Sequence, residues 1–319
     1  MFLRYFCVFK RKLVILFVAL LSAVAARAQY DATFSHYWSL QPFYNPASVG
    51  KDSKINIAAA YAMNLVGFTN NPKTMYVGAD MPFYFMDAYH GVGVGFINDQ
   101  IGLFKHQNIR VQYSYSTRLF GGRLRIGAQV GLLTESFDGS KLDLEESNDP
   151  AFFTSEQTGH AVDLGAGVYY SYKDWYAGIG AQHLNSPVVE FGEKNEIDLE
   201  GTYYFNAGGN IKLRNPFLSL QPSVFIQTDF VEHKEQITLR GTYNNEEKKF
   251  EAGLSYSPGT SFTVLLGGNL HGISLGYSYE IYTSALNIGN GSHELTLGYQ
   301  IDMNLYKKGR NKHKSVRLL

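Results

Sequence analysis

The residue types that could carry catalysis or bind a metal are present, but no local motif arranges them for either task. The nine histidines are scattered, and no His-Glu-x-x-His pair offers two zinc ligands on one helix face. No Gly-x-Ser-x-Gly turn presents a serine nucleophile. The sequence therefore predicts no catalytic residue, no metal and no cofactor. A phospholipase that assembles serine, histidine and a polar partner from separate strands needs no such motif, so this alternative stays open.

Three short stretches suggest ligand binding at first sight. The glycine-rich runs GVGVG (91–95) and GAG (165–167) resemble nucleotide loops, but neither has the strand–turn–helix context or the downstream acid. We interpret both as parts of alternating strands, where glycine relieves crowding on a curved sheet. The acidic run DLEESNDP (143–150) has oxygen ligands for calcium, yet it lacks the spacing and central glycine of an EF-hand loop. It predicts a solvated acidic loop.

The stretch FSHYWSLQPFYNPASVG, residues 34–50, is the first candidate functional site. It carries five aromatic residues, does not alternate cleanly, and contains two prolines that would interrupt a sheet ladder. Aromatic side chains outside a strand need either a buried cavity or a partner surface. We predict a structural plug or cap in preference to direct partner contact. The residues assigned to this site are Phe34, Tyr37, Trp38, Tyr44, Asn45, Pro46 and Gly50.

The C-terminal stretch MNLYKKGRNKHKSVRLL, residues 303–319, is the second candidate site. Its concentrated positive charge suits an acidic partner or anionic lipid headgroups, and the alternative is a solvated, disordered end. The residues concerned are Lys307, Lys308, Arg310, Lys312, Lys314 and Arg317.

The N-terminal residues predict a secretory signal peptide, 1–28. Basic residues precede an apolar run (13–25) that is short for a membrane helix, and Ala26-Arg27-Ala28 provides a small-x-small cleavage site. Cleavage near Ala28 would remove Cys7, the only cysteine, so the exported chain could form no disulfide. It would also remove five of the 28 basic residues and no acid, which leaves a negative net charge. No basic face indicates a nucleic-acid partner.

Alternation at period two dominates the rest of the chain. In NIRVQYSYSTRL, Ile109 and Val111 fall on one face, while Arg110 and Gln112 fall on the other. About ten residues per segment is the length that a tilted strand needs to cross a bilayer. The predicted strands are 54–64, 74–84, 91–98, 108–119, 123–134, 160–172, 175–184, 199–213, 217–230, 235–243, 249–257, 261–269, 271–279 and 292–302.

The connections between these strands distinguish a membrane barrel from a soluble sandwich. The even-numbered connections are mostly short, whereas odd ones such as 65–73, 99–107, 135–159, 185–198 and 280–291 are longer. Bacterial barrels have short periplasmic turns and long outer loops. Two short odd connections, near 231–234 and 258–260, weaken this argument without reversing it. The sequence predicts an all-β, transmembrane antiparallel barrel of about fourteen strands over 51–302, preceded by a plug or cap at 29–50 and followed by a periplasmic basic tail at 303–319.

Several motifs together resemble the PorP/SprF family of type IX secretion system outer-membrane proteins. The signature at the start of the exported chain has counterparts in Gln29 and Asp31, in Phe34-Ser35-x-Tyr37, and in Asn45-Pro46-Ala47 with Gly50. Further matches are PKT (72–74), NDQIG (98–102), GAGVYY (165–170) and the stretch 275–299.

The resemblance implies a non-enzymatic barrel in the bacterial outer membrane that serves protein secretion and, in some bacteria, gliding. Its implied partners are outer-membrane lipids, periplasmic subunits or lipoproteins of the secretion machine, and exported proteins with C-terminal sorting domains. A passive channel for hydrophobic or small polar solutes, similar to fatty-acid transporter barrels, is the competing interpretation.

Overall fold

The computed structural model describes residues 31–139, 156–191, 195–245, 248–283 and 290–303. The predicted signal peptide, the acidic run at 143–150 and the basic residues of the tail lie outside these ranges. The fold described below belongs to the compact unit Ala32–Leu319.

The described residues form seventeen strands. They are β1 (Lys54–Met63), β2 (Lys73–Phe85), β3 (Ala88–Ile101), β4 (Phe104–Leu119), β5 (Gly122–Asp138), β6 (Glu156–Tyr172), β7 (Trp175–Gln182), β8 (Val188–Phe191), β9 (Asn195–Asp198), β10 (Thr202–Gly209), β11 (Ile211–Lys212), β12 (Leu218–Thr228), β13 (His233–Asn245), β14 (Lys248–Ser257), β15 (Ser261–Leu270), β16 (Ile273–Tyr282) and β17 (Ser292–Asp302). A short helix, α1 (Gln41–Tyr44), and a 3-10 turn (Pro46–Ser48) precede β1.

Fourteen of these strands, β1 to β7, β10 and β12 to β17, form one closed antiparallel barrel. Each strand pairs with the next along the chain, β10 bridges β7 and β12, and β17 pairs with β1. Lipid offers no hydrogen bonds to a free strand edge, so closure satisfies the whole backbone. The prediction of an all-β antiparallel barrel of about fourteen strands is confirmed. No helix in the described part of the chain is long and apolar enough to span a membrane.

The faces of the wall follow the alternation of the sequence. Ile109 and Val111 on β4 expose 58% and 61% of their surface on the outside, whereas Arg110 and Gln112 expose 2% and 1%. Apolar side chains therefore face the lipid, and polar ones face the lumen, the space enclosed by the wall.

Two details of the predicted strands are wrong. The predicted loop 99–107 is a two-residue turn, since β3 continues to Ile101 and pairs it with Phe104 on β4. Gly102 supplies the positive φ (62°) that this turn requires. The predicted strand 199–213 is divided into β10 and the two-residue β11.

A small hairpin covers part of the lumen at the end that carries the long connections. It consists of β8 and β9, which lie between β7 and β10 in the chain and pair only with each other among the described strands. Val189 and Phe191 of β8 pack against Leu133, a buried residue on the inner face of β5. The hairpin thus folds back onto the wall from inside the barrel.

Candidate functional site

The chain before β1 lies inside the barrel, and we call residues 33–50 the lumen segment. At its start, Thr33 Oγ1 accepts a hydrogen bond from Lys234 Nζ (2.7 Å), beside the connection between β12 and β13. At its end, the Gly50 amide donates to Asp80 Oδ2 (2.8 Å), and Gly50 lies against Pro82 near the tight β2–β3 turn. We refer to the end opposite the long connections, which carries most of the two-residue turns, as the periplasmic end. The segment runs from the outer part of the lumen to this end.

An aromatic cluster supplies most of the burial in the lumen segment. Phe34, Tyr37 and Tyr44 have no exposed surface, and Phe43 exposes 2%. The Tyr37 ring stacks on Phe225 of β12 with centroids 5.0 Å apart, and Phe43 meets Tyr76 of β2 edge to face at 5.0 Å. Burial of each ring contributes on the order of 2 kcal/mol, more than one hydrogen bond of about 1 kcal/mol. The rings therefore provide the attraction, while polar contacts fix the position.

The turn after α1 forms for local reasons. Asn45 has an extended backbone (φ −146°), as expected before proline, and its Oδ1 accepts a hydrogen bond from the Ala47 amide (2.9 Å). The same side chain donates from Nδ2 to the Val168 carbonyl on β6 (3.0 Å). The Asn45-Pro46 pair thus starts the 3-10 turn and attaches it to the wall.

Glycines in the wall leave the space that this turn occupies. A Cβ atom at Gly167 would lie 2.1 Å from Asn45 Oδ1, and one at Gly180 would lie 2.1 Å from the Tyr44 carbonyl oxygen. At Gly91 the added atom would lie 2.1 Å from the Val49 carbonyl oxygen. The runs GVGVG and GAG, interpreted from sequence as relief of crowding in the sheet, therefore have the additional role of seating the lumen segment.

Basic and amide side chains of β4, β5 and β7 bind the carbonyl groups of the segment. Arg110 Nη1 and Gln182 Nε2 both donate to the Phe43 oxygen (3.0 and 2.6 Å). Arg125 donates to the Gly50 and Lys51 oxygens (both 2.9 Å). These carbonyls belong to irregular backbone, so buried wall side chains provide the partners that a sheet would otherwise supply.

On the opposite wall, one carboxylate holds the start of the segment. Glu294 of β17 accepts hydrogen bonds from the Ser35 amide (2.5 Å), the His36 amide (3.0 Å) and His36 Nδ1 (2.7 Å). The His36 and Glu294 side chains are both almost fully buried. Hydrogen bonds to a carboxylate are stronger than those between neutral groups, so this contact attaches the start of the segment firmly to β17.

Burial also keeps the two central tyrosines of the segment protonated. Desolvation raises the pKa of Tyr37 above its ordinary value, and it raises the pKa of Tyr44 well above it. The Tyr44 hydroxyl accepts a hydrogen bond from the Phe34 amide (2.7 Å), and the Tyr37 hydroxyl bonds with Ser223 Oγ (2.8 Å). Both rings therefore join the two halves of the segment to each other and to β12 as neutral groups.

The structure brings the predicted residues of the first site together. Phe34, Tyr37, Tyr44, Asn45, Pro46 and Gly50 are buried in the lumen segment, and Trp38 is partly buried with the Arg240 guanidinium 3.8 Å from its ring centroid. The basic residues of the second site lie outside the described ranges. Within those ranges, no group of three metal-binding side chains comes together.

The wall residues that hold the segment were not identified from the sequence. They are Asp80, Arg110, Gln112, Arg125, Gln182 and Glu294. In the sequence, each of these wall positions has a charged or amide residue on the inward face of a strand, where glycine, serine and threonine predominate.

Two solved structures with similar chains are a toluene transporter, TodX, from Pseudomonas putida and a FadL homologue from Pseudomonas aeruginosa. The alignment with TodX has 10% identity and a TM-score of 0.47, and covers 86% of this chain and 95% of that chain. The alignment with the FadL homologue has 10% identity and a TM-score of 0.48, and covers 82% of this chain and 93% of that chain. No curated protein matches the sequence.

The family described as type IX secretion system membrane protein PorP/SprF matches residues 26–299, which is most of the chain. The closed barrel with an apolar outer face is the architecture of an outer-membrane protein. The chain therefore belongs to the PorP/SprF family of type IX secretion system membrane proteins.

Proposed function

We propose that this protein is a plugged, non-enzymatic barrel of the type IX secretion machinery, which engages exported proteins or periplasmic subunits through its surfaces. The observation that carries the proposal is the attachment of the lumen segment to opposite walls, through Arg110 and Arg125 on one side and Glu294 on the other. Family membership supplies the secretion context.

A fixed segment favours a scaffold over an open pore. A solute would have to displace the four buried rings of the lumen segment, Phe34, Tyr37, Phe43 and Tyr44. Each hydrogen-bond donor or acceptor left unpaired by this displacement would cost about 1 to 3 kcal/mol. The competing function, passage of hydrophobic or small polar solutes, requires this displacement to occur readily. Current through planar bilayers separates the two proposals, because a plugged scaffold passes little current and a channel passes a steady one.

The absence of catalysis is likewise a proposal, supported by the lack of a recognisable motif and by a family of secretion proteins. A membrane phospholipase is the alternative to test. The purified protein in detergent is expected to release no fatty acid from phospholipid. Hydrolysis that persists through further purification would overturn the non-enzymatic assignment.

The proposed partner surface is the basic tail, since the lumen segment is buried as the plug, and we include removal of residues 1–28 in the proposal. The tail residues, from Lys307 to Arg317, carry positive charge that suits an acidic periplasmic subunit or anionic headgroups. The decisive experiment is a crosslinking pull-down from native membranes. Recovery of secretion subunits supports the function, whereas recovery of none favours the channel.

A further inference from the structure

A cavity of about 260 Å³ separates the lumen segment from one side of the wall. The segment contributes His36 and Trp38, and the wall contributes residues near the periplasmic ends of β14 to β17, β1 and β2. Along β17, the inward residues pass from buried Glu294 and Thr296 to exposed Gln300. The cavity therefore opens towards the periplasmic end and is closed above by the Glu294–His36 contact.

Four of the five charged side chains that line this cavity are already engaged, and the fifth, Asp52, is exposed to solvent. Asp80 accepts from the Gly50 amide and from Asn56, while Glu251 lies within 3.3 Å of Lys249. Lys51 donates to Gln41 (2.6 Å). These pairings leave little charge to compensate an ionic ligand, and burial of an uncompensated charge is costly. A neutral ligand fits better.

Amide and hydroxyl groups, by contrast, keep unused hydrogen-bonding capacity. Asn269 donates to Ser274 (2.6 Å), and Gln300 donates to Asn56 (3.1 Å). A side-chain amide has two donor hydrogens and an acceptor oxygen, so each of these groups can bond to a ligand as well. The cavity thus offers both donors and acceptors, which suits a ligand that carries both.

The end of the cavity contains a polar atom without a partner. His36 exposes 2% of its surface, and its Nε2 has no hydrogen-bond partner within the described residues. Because the Glu294 carboxylate accepts from Nδ1, Nε2 is left either to accept a hydrogen bond from a ligand, when the ring is neutral, or to donate one, when the ring is protonated. A side chain from β16 cannot serve it, since a Cβ at Gly276 would lie 2.8 Å from Nε2. A ligand hydroxyl could.

We propose that this cavity binds a saccharide, with Trp38 providing an apolar surface and Asn56, Asn269, Gln300 and His36 providing hydrogen bonds. A sugar ring combines an apolar face with hydroxyl groups that both donate and accept, and it is neutral. The site opens to the periplasm and involves none of the anchors on β4 and β5. It can therefore exist whether or not the barrel binds secretion subunits.

Tryptophan fluorescence tests the proposal on the whole protein in a detergent without a sugar headgroup. The chain has two tryptophans, Trp38 and the outward-facing Trp175, so Trp175→Phe leaves Trp38 as the only reporter. Titration with N-acetylglucosamine or glucose is expected to change the emission saturably. Asn269→Ala and Gln300→Ala should each weaken binding by about three- to tenfold, as loss of one hydrogen bond predicts.

Gln221→Ala provides the matched control, because Gln221 is an amide near the periplasmic end of β12 that does not line the cavity. Its affinity should equal that of the Trp175→Phe protein, and heat-modifiable mobility on gels shows that every variant is folded. The saccharide assignment is overturned by no saturable change up to about 100 mM sugar, a hundredfold above a millimolar Kd. The assignment is also overturned if Asn269→Ala and Gln300→Ala bind the sugar as tightly as the Trp175→Phe protein does. A fluorescence response only to charged probes, such as lysine or acetate, has the same consequence.

Discussion

Glu294 and His36 form a buried pair with the carboxylate oxygen 2.7 Å from Nδ1, although they are 258 positions apart in the sequence. The same carboxylate accepts the amides of Ser35 and His36, so one wall side chain satisfies three donors of the lumen segment. This contact lies between two cavities: His36 lines the larger one, and Ser35 and Glu294 line a smaller one of about 120 Å³ towards the outer end. The pair thus separates two spaces along one side of the barrel.

Removal of this carboxylate should loosen the segment and connect the two cavities. Glu294→Ala leaves two buried amides and an imidazole without their acceptor, at a cost of about 1 to 3 kcal/mol for each unpaired group. We expect Glu294→Ala to give frequent current steps in planar bilayers, whereas the unmodified protein should pass almost no current. Glu280→Ala is the control, since Glu280 is also a buried lumen carboxylate but binds Ser261 of β15 instead of the segment. Equal currents from both variants would contradict the assigned role.

A methyl group at Gly180 should displace the lumen segment without preventing barrel formation. The new Cβ would lie 2.1 Å from the Tyr44 carbonyl oxygen, a backbone atom that cannot rotate away. We expect Gly180→Ala to make residues 33–50 accessible to protease while heat-modifiable mobility persists. Gly241→Ala is the matched control, because its nearest heavy atom would be 3.9 Å away. Continued protection of the segment in Gly180→Ala would show that the close approach is not needed.

Alkaline pH should weaken the segment through its buried tyrosines. Burial raises the pKa of Tyr44 well above its ordinary value, so its native contact favours the protonated form. The stabilisation is complete below about pH 10, the pKa of an unfolded tyrosine, and is lost as the pH rises towards the raised native pKa. Protease protection of residues 33–50 should accordingly decline above pH 10. Tyr44→Phe should reduce this pH dependence, and an unchanged profile would assign the transition to other groups.

Deletion of residues 305–319 tests the basic tail. We expect periplasmic subunits to be lost from co-purification while the heat-modifiable barrel persists, because the deletion begins after the last strand, β17. A variant that keeps the length but replaces the six lysines and arginines by glutamine separates charge from length. Unchanged recovery of subunits with both variants would remove the tail from the partner surface.

Strand faces and strand number are properties that short-range patterns in this sequence determine. Ile109 and Arg110 differ by one position and face opposite sides, because the side-chain period of a strand is two. The family motifs and the aromatic segment 34–50 were equally readable. The prediction of a long loop around Gly102 was wrong. The polar residues on both sides of the two-residue turn have a composition typical of loops, although they belong to paired strands.

The contacts of the lumen segment, by contrast, were decided only by the tertiary structure. Alternation indicates that Arg110, Arg125 and Glu294 point inward, but not which part of the chain they meet. That depends on the register of every hairpin and on closure of β17 against β1, which together bring distant residues to the same level of the lumen. Local pattern thus determined the wall of this barrel, whereas closure determined what the wall holds.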